Sequence, residues 1–374
     1  YAIDCIRRAL SIEPNHAMSI STLLMLMHYL PDYSAEDLFT AAKDWAKRLN
    51  TQESNLPTVS NLPDPWRRLR VGYVSGDFNR HPVGFFIESV LAQHDKSRFE
   101  IFCYYNNGDG DELTKRLQQL SDHWYSIKGR SDDEVAQIIR QDGIDLLIDL
   151  SGHTGANRLQ LFSRRPASIQ VTWLGYFGTT GLNAMDYIIA DQILIPTREE
   201  RYYTERVARL PRVYLCFSPP DSIIEPASLP AIAAGRITFG CFNNPAKLNE
   251  TVIICWSGLL QALPNAQLYL KHKSFDDDGV RQRFQSLFAQ HGITSERIRF
   301  AGQSSREQYL AAYQEVDIGL DPFPFNGCTT TVESLWMGVP VISLRGDRYV
   351  SHMGETLLTN AGLAEYVVNT QNEY

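Results

Sequence analysis

The sequence predicts an α/β protein built from two doubly wound domains with parallel sheets, preceded by a short helical segment. Three observations carry this. From Arg68 onward, short apolar runs alternate with amphipathic helical stretches. The alternation is interrupted once, by the aperiodic, four-proline stretch SPPDSIIEPASLPAIAAG (218–235), and then restarts. The first 67 residues carry only helical periodicity and then a polar run.

In chain order, YAIDCIRRALSIEPNHA repeats apolar residues at Ile3, Ile6, Leu10 and Ile12, and Pro14 stops the helix. Its small Ala9 and terminal Pro14 are similar to the second helix of a tetratricopeptide repeat. MSISTLLMLMHYL continues as a helix, and SAEDLFTAAKDWAKRL opens with Ser34 and Asp37 at capping-box spacing. A single partial repeat cannot form a solenoid, so the chain is expected to be entered at the last repeat of something longer. Residues 51–67 read as a linker, which sets the helical end and linker at 1–67. LRVGYVS, FEIFCYY, DLLIDL, IQVTWLG and MDYIIAD are the strands of a first domain at 68–217, with TKRLQQLSDHW and DDEVAQIIRQDG among its helices. Residues 218–235 link the domains. ITFGCFN, AQLYLKH, IRFAG, DIGLDP and PVISL, with helices between them, give a second domain at 236–374. Ligands of such sheets bind beyond the carboxyl ends of the strands, and a cleft between two such domains is the natural site.

Bulk properties narrow the function. The chain has 374 residues, 44% hydrophobic and 21% charged, with a net charge of -8. An acidic balance argues against non-specific binding of nucleic acid or an anionic membrane surface. No apolar run approaches the length of a bilayer span, and the N-terminus does not read as a signal peptide. Six cysteines form no C-x-x-C pair; most are expected to be reduced core residues of a cytoplasmic protein. The exception is Cys328, which lies in a candidate motif.

That motif is NGCTTTVESLWMGVPVISL (326–344), which follows DIGLDP. Asn326-Gly327 makes a turn and a helix begins at Cys328–Thr331. The free N–H groups and positive dipole of such an end, with Thr329 and Thr330 hydroxyls, suit a pyrophosphate, and Glu333 one turn in suits ribose hydroxyls. A plain threonine cap with a buried acid is the alternative. Lys247, in FNNPAKLNE after strand ITFGC, is placed to neutralise a diphosphate leaving group or is a solvated surface lysine. His81, in SGDFNRHPVGFF, precedes a proline and is expected in a loop, as a general base, a substrate-orienting group or a capping histidine. The glycines of SGHTG and GYFGTTG read as close backbone approaches to a ligand. Neither matches G-x-G-x-x-G, no Walker-type loop is present, and no run of ligand residues points to a metal.

Together RVGYVSGDFNRHPVGFF, RRPASIQVTWLGYFGTTG, MDYIIAD, CFNNPAKLN and DPFPFNGCTTTVESLWMGVPVI resemble, in order and spacing, the O-linked N-acetylglucosamine transferase/SPINDLY family. The resemblance implies tetratricopeptide repeats followed by a two-domain GT-B fold. It implies inverting transfer of a sugar, N-acetylglucosamine from UDP-GlcNAc, to Ser or Thr of a protein acceptor, with no required metal or other cofactor. His81 matches the family histidine proposed as proton acceptor or organiser, and Lys247 the lysine on the donor diphosphate. Asn244 falls where UDP-sugar members often carry glutamine. Thr329 and Thr330 match the phosphate-holding pair, Glu333 an acid on the ribose, and Ser304, Arg306 and Tyr309 the segment framing uracil. Cys328 and Tyr309 replace histidines of animal members, and His153, a second candidate base, stands where they have tyrosine. Plant SPINDLY members, similar in the same motifs, imply GDP-fucose as the alternative donor. A repeat-based binding protein with an inactive transferase domain is the alternative of another class. The family pattern also implies that the chain stops before the final helices of the fold.

Overall fold

The computed structural model describes residues 2–49, 61, 64, 66–108, 110–220 and 224–374. The chain forms two compact units, Tyr1–His28 with Asp32–Ser218, and Tyr29–Pro31 with Pro219–Tyr374.

The first unit begins with helices α1 (Ala2–Ile12), α2 (Ala17–Met27) and α3 (Ala35–Leu49). The capping box forms as expected: Ser34 N–H donates to Asp37 Oδ2 at 2.9 Å and Asp37 N–H donates to Ser34 Oγ at 3.2 Å. The remaining elements are β1 (Leu69–Ser75), α4 (Pro82–Gln93), β2 (Phe99–Tyr105), α5 (Glu112–Leu120), β3 (His123–Ser126), α6 (Asp132–Gln141), β4 (Leu146–Asp149), α7 (Leu159–Ser163), β5 (Ile169–Thr172), β6 (Tyr187–Ala190) and β7 (Arg206–Arg209). The seven strands pair in parallel in the order β3-β2-β1-β4-β5-β6-β7. Both faces are covered, which is why its central strands read as unbroken apolar runs. On one face Val71, Tyr73 and Ile101 pack with Ile87 and Leu91 of α4 and Leu117 of α5. On the other, Val74 and Leu147 share a core with α6 and with Leu24, Ala42 and Trp45 of the N-terminal helices. Helices α2 and α3 therefore contribute to this unit's core.

The second unit contains α8 (Pro230–Ala234), β8 (Thr238–Cys241), α9 (Glu250–Ala262), β9 (Gln267–Lys271), α10 (Asp278–Ala289), β10 (Ile298–Ala301), α11 (Arg306–Ala311), β11 (Ile318–Leu320), α12 (Thr329–Trp336), β12 (Val341–Leu344), α13 (Tyr349–Asn360) and β13 (Val367–Val368). Its parallel sheet runs β10-β9-β8-β11-β12-β13. Phe239, Leu268 and Leu270 meet Trp256 of α9 and Phe288 of α10 on one face. Phe242 and Tyr269 meet Leu310 and Tyr313 on the other.

Several local expectations differ. The helix read over TKRLQQLSDHW stops at Leu120, and His123 and Trp124 belong to β3, which is only partly buried and so lacks an apolar run. The 218–235 linker contains α8, capped by Gly235 at φ 63°. Much of the 51–67 linker lies outside the described residues, though Arg67 pairs with Asp145. Cys103 and Cys241 are buried as expected, but Cys5 and Cys216 are exposed. The glycine-rich segments make close approaches to the chain itself. A Cβ at Gly175 would lie 2.1 Å from the Leu150 carbonyl oxygen, and one at Gly181 would lie 2.4 Å from that of Ala42 in α3. Packing within the unit thus accounts for these two glycines.

Candidate functional site

In the second unit, candidate residues gather beyond the carboxyl ends of β8 and β11. After Cys241 the chain makes an extended step and then one tight turn of 3-10 helix at Pro245–Lys247. Asn243 is buried and Asn244 is exposed. Asn244 caps the turn, its Oδ1 accepting from Ala246 N–H at 3.0 Å. The turn brings Lys247 back toward the sheet. Its Nζ donates to Asn243 Oδ1 at 3.0 Å and to the Asn326 carbonyl at 2.7 Å. It also lies 4.2 Å from the centroid of the Phe325 ring. Burial pushes the Lys247 amine down to about 8, against the opposing charge of Asp321. An ammonium has three donors; with two taken here, one remains for a ligand. The solvated-surface alternative does not describe this lysine.

The 326–344 motif supplies the facing half. Asp321, at the end of β11, accepts from Gly327 N–H and, at 2.7 Å, from Ser343 Oγ. Burial raises this carboxyl to about 7. Asn326 is fully buried. A Cβ at Gly327 would lie 2.5 Å from Thr330 Oγ1 and 2.7 Å from Thr331 Oγ1, so the turn admits only glycine. Cys328 is the N-cap of α12 and makes no side-chain cap bond. Thr329 is the first helical residue and Thr330 the second; Thr330 Oγ1 donates to Asn243 Oδ1 at 3.1 Å. The threonines therefore do not cap the helix. Thr331 N–H already turns back to the Cys328 carbonyl at 3.1 Å, and the start of α12 keeps the positive end of the helix dipole. Lys247, Thr330 and this helix start converge on one buried amide, Asn243. A pocket of about 230 Å³ empty volume lies among Asn243, Tyr313, Asp321, Thr330 and Ser334.

Glu333 is buried and pairs with Arg306 NH1. Burial raises its carboxyl, and the Arg306 charge holds it down. The Tyr309 ring packs edge-on to Phe242 at 5.7 Å, with the Arg306 guanidinium 5.8 Å from its centroid. Ser304 precedes α11, and its Oγ is enclosed with no hydrogen-bond partner among the described residues.

The two histidines of the first unit differ. His81 is the N-cap of α4 with extended backbone, followed by Pro82 at the first helical position. Its Nδ1 accepts from Val83 N–H at 3.3 Å and lies 3.7 Å from Asp77 Oδ2. Burial lowers its pKa while Asp77 raises it. His153 is buried, with Nε2 at 2.9 Å from the Thr180 carbonyl and Nδ1 at 3.1 Å from Ser21 Oγ. A carbonyl can only accept, so the Nε2 proton is fixed and Nδ1 accepts from Ser21. Trp45 and Tyr176 pack edge-on to its ring at 4.5 and 5.0 Å. Burial pushes His153 down to about 4.

Asn243, Phe325 and Asp321 were not singled out from the sequence, and Asn326 was read only as part of a turn. Their neighbours in FNNPAK and DPFPFNGC were, but only the fold shows which asparagine turns inward. Among the described residues, no group of three or more His, Cys, Asp or Glu is arranged to hold a metal ion. No helix among them is long and apolar enough to cross a membrane.

Comparison with known proteins bears on this geometry. The family description Glycosyl transferase family 41 matches residues 45–218 and 219–374. A protein of Arabidopsis thaliana named "Probable UDP-N-acetylglucosamine--peptide N-acetylglucosaminyltransferase SPINDLY" is 36% identical over 97% of this chain and 40% of its own length. A protein of the same name from Oryza sativa subsp. japonica is 36% identical over 100% of this chain and 41% of its own. The chain thus spans about 40% of the length of these curated relatives. The solved structure of a mutant Thermobaculum terrenum O-GlcNAc transferase is 41% identical, with a TM-score of 0.94, over 100% of this chain and 71% of that one.

Proposed function

The chain belongs to glycosyl transferase family 41, and from that premise we propose that it transfers N-acetylglucosamine from UDP-GlcNAc to Ser or Thr hydroxyls of a protein acceptor. The observation that carries this is the convergence of Lys247, Thr330 and the open start of α12 on Asn243. A nucleoside diphosphate is the ligand that a compact cation, a hydroxyl and the positive end of a helix suit together. The sugar and the peptide acceptor are carried over from the names of the plant and Thermobaculum relatives.

In the proposed reaction the acceptor oxygen bonds to the anomeric carbon from the face opposite the diphosphate. The carbon–oxygen bond to the β-phosphate breaks and inverts that centre, UDP leaves with the bonding electron pair, and the hydroxyl proton passes to water. Lys247 and the α12 N-terminus stabilise the charge gathering on the leaving diphosphate, which is the larger demand of the step. Glu333, with Arg306, Ser304 and Tyr309, is the proposed nucleoside side, and Thr329 stands beside Thr330 on the phosphate side. Cys328 closes the turn. Asn244 acts through the turn that carries Lys247.

His81 is proposed as the group orienting the acceptor. With Nδ1 accepting from Val83, the neutral ring carries its proton on Nε2 and offers a donor there. A second proton enters only at Nδ1, which gives up the cap and gains the Asp77 carboxylate. That cost favours the organising role over proton acceptance. His153 is proposed as a structural residue, since both of its nitrogens are engaged inside the unit.

The test is calorimetric titration with UDP alongside a labelled-sugar transfer assay from UDP-GlcNAc to Ser-containing peptides. Binding of UDP together with transfer or donor hydrolysis supports the reading. Absence of both sinks it.

A further inference from the structure

The residues joining α2 to α3 do not stay with either helix: Tyr29–Pro31 belongs to the second unit. There the Tyr29 ring packs on Phe325 with centroids 4.8 Å apart. Phe325 is buried and is the ring over which Lys247 Nζ lies, at 4.2 Å. The same amine bonds to the carbonyl of the next residue, Asn326, at 2.7 Å. The segment is also fixed by its backbone, because Arg348, buried at the start of α13, donates through NH2 to the Leu30 carbonyl at 2.8 Å.

We propose that Tyr29 is a positioning residue for the phosphate-binding lysine, acting through Phe325. The physical argument has three steps. A lysine side chain has four flexible carbons, and two hydrogen bonds fix its head without fixing the path of its stem. The Phe325 face fixes that path, because a cation is attracted to the centre of a ring and not to its edge. The ring in turn needs a neighbour that sets its tilt, and the tilted Tyr29 contact supplies one. Truncating Tyr29 removes that contact from the Phe325 ring, and the ammonium is then held less well while the covalent structure of the site is intact.

This rests on the donor-site reading above, so the experiment separates the two. UDP affinity is measured by calorimetry for the parent, Tyr29→Ala, Tyr29→Phe, Lys247→Ala and the Tyr29→Ala/Lys247→Ala double variant, with folding followed by circular dichroism. An aromatic pair and a cation–ring contact of ordinary strength lead to a loss of about three- to tenfold in affinity for Tyr29→Ala. Tyr29→Phe keeps the ring and is expected to stay within about twofold of the parent. In the Lys247→Ala background the Tyr29→Ala loss is expected to vanish, because coupled residues are non-additive. A general loosening of the unit predicts additive losses and a lowered melting point instead, and that pattern overturns the proposal. Should Tyr29→Ala fail to fold, Tyr29→Leu retains an apolar plug without a flat face and is read against the same two outcomes. If the parent itself does not bind UDP, the donor-site reading fails. If the parent binds and only Lys247→Ala matters, this inference alone fails.

Discussion

The strand-end loops of the two sheets put polar residues to different uses. In the second unit, Lys247 and Thr330 meet on Asn243 with donor capacity left over, and α12 starts without a side-chain cap. In the first, His153 has both ring nitrogens satisfied, and three packed elements enclose it through Ser21, Trp45 and Tyr176. A buried polar group whose bonds are all made inside the protein stabilises a fold. One held in place with a donor to spare is poised for a ligand. His81 stands between these cases: one nitrogen caps α4, and the ring is 44% exposed.

The largest expected effect tests the open cluster. Lys247→Ala is expected to lower sugar transfer on the order of 100-fold or more, the usual consequence of removing a group that stabilises developing charge. UDP affinity should fall with it, while circular dichroism stays native. Unchanged transfer or donor hydrolysis would place Lys247 with His153 as a structural residue and remove the contrast.

His81 sharpens the contrast by separating its two roles. His81→Asn keeps an N-cap side chain, so melting should stay near the parent, whereas His81→Ala gives up a cap worth about 0.5–2 kcal/mol. Both variants remove the imidazole, and both are expected to lose about 100-fold in transfer to peptide with near-parental UDP affinity. If His81→Asn restores transfer, the cap was the whole role.

The sequence carried the large-scale pattern because both sheets are covered on two faces, and apolar runs between helices survive any local irregularity. Strands β3, β7 and β13 are only partly buried and do not stand out as apolar runs. The motif residues Lys247 and Thr330 were legible as types at strand ends. Asn243, which joins them, was not, because its bonds span 4 and 87 residues and Asn244 beside it looks identical in composition. Packing at Gly175 and Gly181 was hidden for a related reason. What approaches Gly181 is Ala42, far away in sequence.

His153 provides the opposite kind of test. Its folded pKa of about 4 lies below the ordinary value of 6.5, so the unfolded chain binds the proton more readily. The sign is then fixed. Its contribution to stability is complete above pH about 6.5 and is lost as pH falls toward about 4. Asp149 and Asp321, with raised values of about 6 and about 7, push the other way in part of that window. The comparison is therefore made between the parent and His153→Gln, with urea midpoints at pH 7 and pH 5. The parent should lose more stability on acidification than the variant, which does not titrate at this position. At pH 7 the variant should be destabilised by about 1–3 kcal/mol, because Ser21 and the Thr180 carbonyl lose matched partners. A selective loss of transfer with unchanged stability would instead make His153 catalytic.

The smallest expected difference concerns the base. Ser304, Arg306 and Tyr309, the proposed nucleoside side, lie at the start of α11, where Arg306 pairs with buried Glu333 and Tyr309 packs against Phe242. Ser304 Oγ is enclosed there, without a partner among the described residues, and a hydroxyl in that state gains from a ligand atom that can share its hydrogen bond. A single ring needs one such edge contact, while a purine must find room for a second ring against the same side chains. UDP is therefore expected to bind more tightly than GDP, by about tenfold, which corresponds to roughly 1.4 kcal/mol. Calorimetric titration with both nucleotides measures it, and Ser304→Ala should narrow the ratio if the hydroxyl reads the base. Tighter binding of GDP would leave the phosphate cluster intact as a site. It would also move the proposed donor from UDP-GlcNAc to a guanosine-linked sugar such as GDP-fucose.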